Sequence, residues 1–349
     1  MDLKSKPEME SDLGRAAEQQ QPVGRLTPQE RLWRQLSRFG PVIMLLVVVA
    51  GLSIARPDFL TISNLMTIGL QAAVRALLAI GELIVIISGG IDLSVGTSMS
   101  LSMVAMGLYV INGHGSLQVG MAIAIATGIL VGLVNGTLVA ILELPPFIIT
   151  LGMLGIAQGL ALTFSSGFSM YGFPKEFDFI GGGQVYGIPV PIIILAAVAF
   201  VASFIFHETK LGRYAYAIGG SEEAARRAGI PVRGFKVCIY GFSGCLVGIS
   251  AIVLSSRINS AHPGIGLGYE LDAIAAVVIG GASLMGGRGN ISGAIIGALT
   301  MAAIRFGLNI MAVTPFIQQI VIGVILIIAV YLDRLRIIGE ARLDRLRAK

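Results

Sequence analysis

The sequence is poor in charge and in cysteine, and each shortage excludes a class of protein. Only 13% of its 349 residues are Asp, Glu, Lys or Arg, whereas a soluble globular protein has about 25%. Its two cysteines, Cys238 and Cys245, lie two helical turns apart in one apolar segment, a separation of about 10 Å that is too long for a disulfide. We therefore interpret them as small core residues and not as a redox or metal pair.

Motifs of the common enzyme classes are missing as well. The sequence has no GxxxxGK[ST] phosphate-binding loop, no HExxH zinc motif and no GxSxG nucleophile motif. Its three histidines are scattered without the spacing of metal ligands. We therefore expect no enzyme activity and no metal or cofactor in this chain, so that any ATP driving it must be hydrolysed by another chain.

Long apolar runs dominate the sequence instead. Hydrophobic residues make up 55% of the chain, and its mean hydropathy is +0.83. A membrane span needs about 20 apolar residues. Ten candidates lie at 41–56, 65–87, 94–111, 118–141, 147–164, 190–206, 235–255, 269–285, 291–310 and 315–332. The predicted fold class is therefore all-α, a polytopic transmembrane helix bundle of about ten spans.

Basic residues are unevenly distributed between these spans. Of 25 Lys and Arg, seven precede the first span, six lie within 208–236 and six lie from Arg334 onward. An even number of spans puts these three segments on one side, and their basic excess identifies that side as the cytoplasm. We therefore predict that both termini are cytoplasmic. The net charge of +5 is explained by anionic lipid headgroups better than by nucleic acid.

The two ends of the chain differ from its middle. Residues 1–26 are polar and predict a disordered arm without a cleavable signal peptide. The segment 27–39 has the N-terminal signals of a helix, either one lying on the inner leaflet or a basic flank of the first span. The predicted domains are 1–40, the arm and interfacial helix; 41–335, the transmembrane domain; and 336–349, a basic cytoplasmic tail.

The segment 208–236 holds nine of the chain's charged residues between apolar runs, so it must leave the bilayer. Ser221 is a suitable N-cap for a short helix. Glu222 and Glu223 would occupy its first turn and Arg226 and Arg227 its last, as the helix dipole favours. Gly229 followed by proline then stops it. These signals predict a short cytoplasmic helix, against the alternative of a solvated loop.

Three charged residues fall inside predicted spans and are functional candidates, because a charge in the bilayer needs a partner. Arg75 and Glu82 lie at i and i+7 of the second span, so they share a helix face. They can pair with each other through water or with another helix. Arg305 in the ninth span also needs a partner, and Glu270 or Asp272 at the start of the eighth can supply it.

Uncharged polar side chains in the spans suit hydrogen bonding to a neutral hydroxylated solute, or else hold helices together. Two glycine-rich stretches, 88–96 and 279–290, each follow an apolar run, as matching halves of an internal repeat do in transporters. In the first, Asp92 or Ser94 can cap the next helix or contact the substrate. The candidate translocation path comprises Gln71, Asp92, Ser94, Asn135, Thr150, Asn309 and Gln318.

Over about residues 40–335, the chain resembles the permease subunit of carbohydrate ABC importers of the ribose, xylose, arabinose and galactose type. The stretches that carry the resemblance are GGIDLSVG, NGTLVAILELPPFIITLGML, TKLGRYAYAIGGSEEAARRAGI, GYELDAIAAVVIGGASLMGGRGN and GLNIM. Each is modest alone, but their combination is specific. The sequence departs from the family pattern at Arg305, usually a small or amide residue, and at Glu82, commonly apolar or neutral, which bears on solute preference.

The resemblance implies the transmembrane permease of an importer in the bacterial cytoplasmic (inner) membrane, carrying a monosaccharide. Its implied partners are an ATPase subunit that holds ATP and Mg, a periplasmic or lipid-anchored sugar-binding protein, and a second permease in a homodimer or heterodimer. The ATPase-coupling residues would be Gly219, Gly220, Ser221, Glu222, Glu223, Arg226, Arg227 and Gly229. The alternatives are a permease for another small polar solute, such as a polyol, nucleoside or amino acid, and an ion-coupled secondary carrier.

Overall fold

A computed structural model describes the backbone of residues 28–347 and the side chains of residues 39–335. The predicted disordered arm lies outside the described residues. So do the side chains of the predicted interfacial helix up to residue 38 and those of the basic tail. The chain divides into two compact units, 1–40 and 41–349. Of the first unit, the structure describes the helical backbone of residues 28–40 and, from residue 39 onward, the side chains.

Helices make up nearly all of the described structure. They are α1 (Pro28–Ala55), α2 (Ile62–Ile87), α3 (Val95–Gly107, continued by a π-helical turn at Leu108–Asn112), α4 (Leu117–Ala140), α5 (Pro146–Phe164), α6 (Asp178–Gly182), α7 (Val190–Glu208), α8 (Lys210–Gly220), α9 (Glu222–Arg227), α10 (Val232–Ile258), α11 (Tyr269–Ile279), α12 (Ile291–Ile310) and α13 (Pro315–Arg347). Two short 3-10 helices lie at Pro57–Leu60 and Lys175–Phe177.

Four two-residue strands form two small antiparallel pairs. β1 (Met170–Tyr171) pairs with β4 (Ser260–Ala261), with Met170 opposite Ala261. β2 (Gln184–Val185) pairs with β3 (Ile188–Pro189). The first pair ties the long α5–α7 connection to the end of α10.

The prediction of an all-α polytopic membrane protein is confirmed. Eight of the described helices are long and apolar enough to cross a membrane, and they coincide with eight of the ten predicted spans. The other two are shorter: the apolar part of α1 covers Phe39–Ala55, and α11 ends at Ile279 after 11 residues. A glycine turn at Gly280 and Gly281 ends α11 well before the predicted boundary, because Gly281 adopts a positive φ of 85°.

The spanning helices form an inner and an outer group. In their most apolar windows, 89% of residues are buried in α2 and 72% in α10, against 17% in α7 and 11% in α13. Helices α4 and α10 pack closely where their glycines face each other. A Cβ at Gly128 of α4 would lie 2.2 Å from the carbonyl oxygen of Gly244 in α10, so small residues set this approach.

The two glycine-rich stretches adopt the same turn at the ends of α2 and α11. The N–H of Gly89 donates to Ile86 O (2.9 Å) and that of Gly90 to Val85 O (3.0 Å). Gly281 and Ala282 repeat the pattern with Val278 O (2.9 Å) and Val277 O (3.1 Å). Both are Schellman motifs with a left-handed glycine. The same pair of hydrogen bonds also ends α9, at Gly229 and Ile230, so the predicted internal repeat stays a prediction.

Candidate functional site

The cytoplasmic helix predicted between Ser221 and Gly229 is present as α9. The Ser221 hydroxyl accepts a hydrogen bond from the N–H of Ala224 (3.2 Å), as an N-cap does. At the other end, the N–H of Gly229 donates to Arg226 O (3.0 Å) and that of Ile230 to Ala225 O (3.1 Å). These local signals define the start and the end of the helix without help from the rest of the fold.

The four charged residues of α9 form two ion pairs at i,i+4 spacing. Arg226 Nη2 lies 2.7 Å from Glu222 Oε1, and Arg227 Nη2 lies 2.6 Å from Glu223 Oε1. Lys236 at the start of α10 also reaches Glu222, at 2.5 Å. Apolar side chains complete the junction of α8, α9 and α10. They form the cluster Tyr214, Ile218, Ala225, Ile230, Val232 and Phe235.

Helix α8 lies directly against the end of α2 and against Gly287 and Gly289 of the second glycine-rich stretch. A Cβ at Gly219 would lie 1.7 Å from Ile87 O and 2.6 Å from Gly287 N, and that same Gly287 N–H donates to Ile87 O (2.8 Å). The hydroxyl of Tyr216 donates to Gly289 O (2.7 Å). At Gly220, by contrast, a Cβ would meet nothing within 4 Å. Helix α8, which leads directly into α9, therefore contacts the end of α2 and the second glycine-rich stretch at one point.

Four of the predicted path residues meet just beyond the first glycine turn. Asn135 Nδ2 donates to Ser94 Oγ (2.9 Å) and approaches Asp92 Oδ1 (3.4 Å). Glu82 Oε1 accepts from the N–H of Asp92 (3.0 Å), and Thr150 donates to Ile91 O (3.2 Å). We call Glu82, Asp92, Ser94 and Asn135 the inner acidic cluster; all four are buried.

The predicted capping of the next helix is not what Asp92 and Ser94 do. Asp92 Oδ1 accepts from both the N–H (2.9 Å) and the hydroxyl (2.6 Å) of Ser94. Ser94 occupies the N-cap position of α3, but its side chain accepts no capping hydrogen bond. The reason is that Asp92 uses its carboxylate within the turn, and Ser94 is engaged by Asn135. Within the described residues, Glu82 Oε2 and Asn135 Oδ1 have no hydrogen-bond partner.

Arg75 and Glu82 do not pair with each other. Arg75 Nε donates to Asp272 Oδ2 (2.9 Å), and Arg305 holds the same carboxylate through Nε (2.7 Å) and Nη2 (2.8 Å). Of the two acids predicted for Arg305, it is thus Asp272 that pairs. Glu270 instead accepts from the N–H of Gly268 (3.0 Å). We call Arg75, Asp272 and Arg305 the outer basic cluster.

The remaining polar candidates do not join the inner acidic cluster. Gln71 lies beside the outer basic cluster, where its backbone carbonyl accepts a hydrogen bond from Arg75 Nη1 (3.1 Å). Gln318 Nε2 donates to Asn309 Oδ1 (2.7 Å), which joins α13 to α12. This last pair corresponds to the alternative interpretation of such residues, the holding together of helices. The predicted path therefore divides among three places.

For three residues near these clusters and α9, the sequence alone does not show the contact that the structure makes. Tyr240 is an ordinary aromatic residue in an apolar helix, yet its hydroxyl would lie 2.6 Å from a Cβ at Gly90, beside the inner acidic cluster. Asp272 was one of two possible partners. Glu143 was not singled out, although its carboxylate lies 2.7 Å from Arg233 and 3.5 Å from Arg226. Over the part of the chain that is described, no three His, Cys, Asp or Glu residues are grouped as metal ligands.

Comparison with known proteins gives one family and many relatives. Residues 64–330 match the family model described as "Branched-chain amino acid transport system / permease component". The chain is 40% identical to the ribose import permease protein RbsC of Escherichia coli (strain K12) over 296 residues, which covers 84% of this chain and 92% of the relative.

Two further relatives have similar coverage. The D-allose transport system permease protein AlsC of Escherichia coli (strain K12) is 38% identical over 85% of this chain and 92% of its own. The L-arabinose ABC transporter permease protein AraH of Azospirillum brasilense is 34% identical over 87% of this chain and 90% of its own. No solved structure shows a significant match.

Proposed function

The chain belongs to the branched-chain amino acid transport system / permease component family, and from this premise we propose that it is the membrane permease of an ATP-driven importer of a monosaccharide. The observation that carries the proposal is the 34–40% identity to ribose, allose and arabinose permeases over at least 84% of the chain. Its eight long apolar helices agree with a multi-pass protein of the bacterial inner membrane.

The partners we propose follow from what this chain lacks and what it presents. It has no nucleotide-binding motif, so a separate ATPase subunit would bind and hydrolyse ATP. A binding protein outside the membrane would deliver the sugar, and a second permease, identical or different, would complete the assembly. The outer helices, such as α5 and α7, have mostly exposed apolar faces that suit lipid or such a second copy.

For coupling to the ATPase we propose α9 and its flanks. A short helix with its own cap, two internal ion pairs and a left-handed glycine stop keeps its shape when pushed. A movement of α9 driven by the ATPase would pass through α8 to the end of α2 and to the second glycine-rich stretch, which follows α11. The residues proposed for this role are Gly219, Gly220, Ser221, Glu222, Glu223, Arg226, Arg227 and Gly229.

For the path of the solute we propose the inner acidic cluster with Thr150, and Gln71 beside the outer basic cluster. Carboxylate, hydroxyl and amide groups can replace the water around a sugar's hydroxyl groups. Because α2 contributes to both clusters and ends in a glycine turn, a shift of that turn would reach both. Alternating access would then follow from closure of the ATPase pair.

The test is transport by the purified importer in proteoliposomes. Permease, ATPase and binding protein would be reconstituted together, and uptake of labelled D-ribose, D-allose and L-arabinose measured with ATP inside the vesicles. Uptake that requires both ATP and the ATPase is expected. Uptake by the permease alone, driven by a proton or sodium gradient, would contradict the proposal and favour an ion-coupled carrier.

A second candidate function is import of another small polar solute, such as a polyol, nucleoside or amino acid. The outer basic cluster favours the amino acid among these, because two guanidinium groups share one carboxylate and could pair with the carboxylate of such a solute. Adding these solutes to the same assay separates the two candidates. Arg305→Asn, tested beside the native chain, should shift the preference among solutes if the cluster contacts them.

A further inference from the structure

The connection between α4 and α5 carries an unusual residue at its centre. Glu143 has a φ of 55°, in the left-handed region that residues other than glycine rarely adopt. It lies three residues before the start of α5, and Pro145 and Pro146 follow it closely. Because proline fixes φ, this short segment is a stiff link between Glu143 and the helix.

The side chain of Glu143 is held by arginines from two other elements. Its Oε1 accepts from Arg233 Nη2 at the start of α10 (2.7 Å) and lies 3.5 Å from Arg226 Nη1 of α9. Arg226 is in turn paired with Glu222 (2.7 Å), and Glu222 with Lys236 (2.5 Å). A chain of five charges therefore connects the α4–α5 connection to α9 and α10.

The charges bridge a cavity between these elements. A groove of about 330 Å³ lies between the α4–α5 connection and α9, lined by the apolar residues Val139, Leu144, Pro145 and Val232 together with Glu143 and Arg226. The two walls are separated there, so the ion pairs of Glu143 are a direct tie across the gap. A displacement of α9 would pull on that tie.

Helix α5 is able to respond to such a pull. Only 22% of its most apolar window is buried within the chain. At Gly152, Gly155 and Gly159 an added Cβ would meet nothing within 4 Å, so this face is not locked against the rest of the described structure. Near its start, α5 also holds Thr150, whose hydroxyl donates to Ile91 O beside the inner acidic cluster (3.2 Å).

We propose that Glu143 is a positioning residue that transmits movement of α9 to α5. The inference rests on the proposed coupling role of α9 and extends the mechanical connection to a segment outside it. Movement of the ATPase would reach the transmembrane domain by two routes, through α8 to the glycine turns and through Glu143 to α5. The second route acts on a helix of the outer group, which the first does not touch directly.

The ion pairs of Glu143 suit a transmitting role better than a stabilising one. The side chains of Glu143, Arg226 and Arg233 are between 44% and 59% exposed, and ion pairs exposed to this extent contribute little to folding. Arg233, and after it Arg226, lowers the pKa of the Glu143 carboxyl from its ordinary value, so it is charged at neutral pH. Its loss should therefore impair coupling while leaving the fold intact.

The test uses the complete importer in proteoliposomes with D-ribose as the probe. Glu143→Gln removes the charge, Glu143→Asp keeps it, and Arg233→Gln removes the nearer partner. Glu208→Gln is the matched control, because Glu208 is an exposed carboxylate at the cytoplasmic end of α7 that forms no ion pair within the described residues. The readout is sugar imported per ATP hydrolysed, with the thermal unfolding temperature measured in parallel.

We expect Glu143→Gln and Arg233→Gln to lower the sugar imported per ATP by about fivefold or more, the lower end of typical coupling between sites. Glu143→Asp should recover most of the loss, and Glu208→Gln should match the native protein. Unfolding temperatures should change only slightly in all four, because ion pairs this exposed contribute little to folding. High salt should reduce coupling in the native chain towards that of Glu143→Gln, because exposed ion pairs such as Glu143 with Arg233 weaken as salt is added.

Two outcomes would overturn the inference. One is native coupling in both Glu143→Gln and Arg233→Gln; the other is a loss of unfolding temperature that accounts for the loss of transport. Replacing Glu222, Glu223, Arg226 and Arg227 together by Ala tells this failure from that of the proposed function. If the fourfold variant uncouples and Glu143→Gln does not, only the role of Glu143 fails. If neither uncouples, the coupling role of α9 fails as well.

Discussion

The outer basic cluster and the inner acidic cluster each take one residue from α2, Arg75 and Glu82, yet they are balanced in different ways. In the outer one, the carboxylate of Asp272 is fully buried and accepts hydrogen bonds from both Arg75 and Arg305. In the inner one, Glu82 and Asp92 meet only backbone N–H groups, a hydroxyl and an amide. No cation faces them among the described ion pairs.

The difference indicates that the two clusters do different work. Ion pairs between three helices, α2, α11 and α12, fix those helices relative to one another, since breaking them leaves charges in a medium of low dielectric constant. Hydrogen bonds that include no counter-charge can be exchanged for bonds to a hydroxylated solute. The outer basic cluster therefore ties α2, α11 and α12 together, whereas the inner acidic cluster lies just beyond the end of α2, where the proposed movement of α8 would reach it.

The largest effect is expected from Asp272→Asn. The change is nearly isosteric but leaves Arg75 and Arg305 without a carboxylate, and removing one partner of a buried ion pair costs about 3–5 kcal/mol. Unfolding of the purified protein in detergent, followed by circular dichroism, should show a loss of this size. An unfolding temperature close to that of the native chain would show that the two arginines are solvated rather than locked.

Gly219→Ala tests the contact that leads to the inner acidic cluster. The new methyl group would overlap the carbonyl oxygen of Ile87, a backbone atom that cannot rotate away, and overpacking of this kind costs about 1–3 kcal/mol. We expect a large loss of transport beside this modest loss of stability, because the contact of α8 with Ile87 and Gly287 is displaced. Gly220→Ala is the matched variant, in open space, and equal loss of transport in both would contradict a role for this contact.

Glu82→Gln is the counterpart of Asp272→Asn and should have the opposite character. Gln retains an oxygen to accept from the N–H of Asp92, and it removes a carboxylate that faces no cation among the described residues. We expect stability within about 1 kcal/mol of the native protein, in contrast to the cost of an unpaired buried charge. Strong destabilisation in the same unfolding assay would mean that the carboxylate is matched by a charge, and the contrast between the clusters would disappear.

The smallest effect is expected from acid on the cytoplasmic ion pairs. Burial raises the pKa of Glu222, but its hydrogen bonds to Lys236 and Arg226 outweigh this and lower it from the ordinary value of 4.5; the pKa of Glu143 is lowered too. A folded pKa below the unfolded one gives stability that is present above about pH 4.5 and lost as pH falls through the folded value. Unfolding temperatures of the native chain and Glu143→Gln should therefore converge below this range, whereas a gap that widens there would contradict the ion pairs.

Much of the fold could be predicted because its signals are local. Apolar runs identify spans by length alone, and α9 is defined by a cap, a charge order and a glycine within one short segment. The length of α11 was overestimated, because hydropathy continues past Ile279 while the chain already turns at Gly281. Periodicity does not show that end; only the left-handed glycine does.

The candidate site was less predictable, because its contacts join distant segments. Arg75 and Asp272 are 197 positions apart. Arg75 shares a helix face with Glu82, which suggests that these two could pair, but the structure pairs Arg75 with Asp272. The role proposed for Glu143 depends on Arg233, 90 positions away. Glu143 lies in one of the stretches that carry the family resemblance, but its neighbours in the sequence do not show which cations it meets.

By itself the sequence determined the membrane class of the protein, its main spans and the shape of α9, since hydropathy and capping act within a few turns of one helix. The tertiary structure alone decided which buried charges pair, that Gly219 meets both the end of α2 and Gly287, and that Asp92 accepts hydrogen bonds within its own turn rather than capping α3. These outcomes depend on how helices distant in sequence pack, where a buried charge takes whichever partner the packing brings within reach.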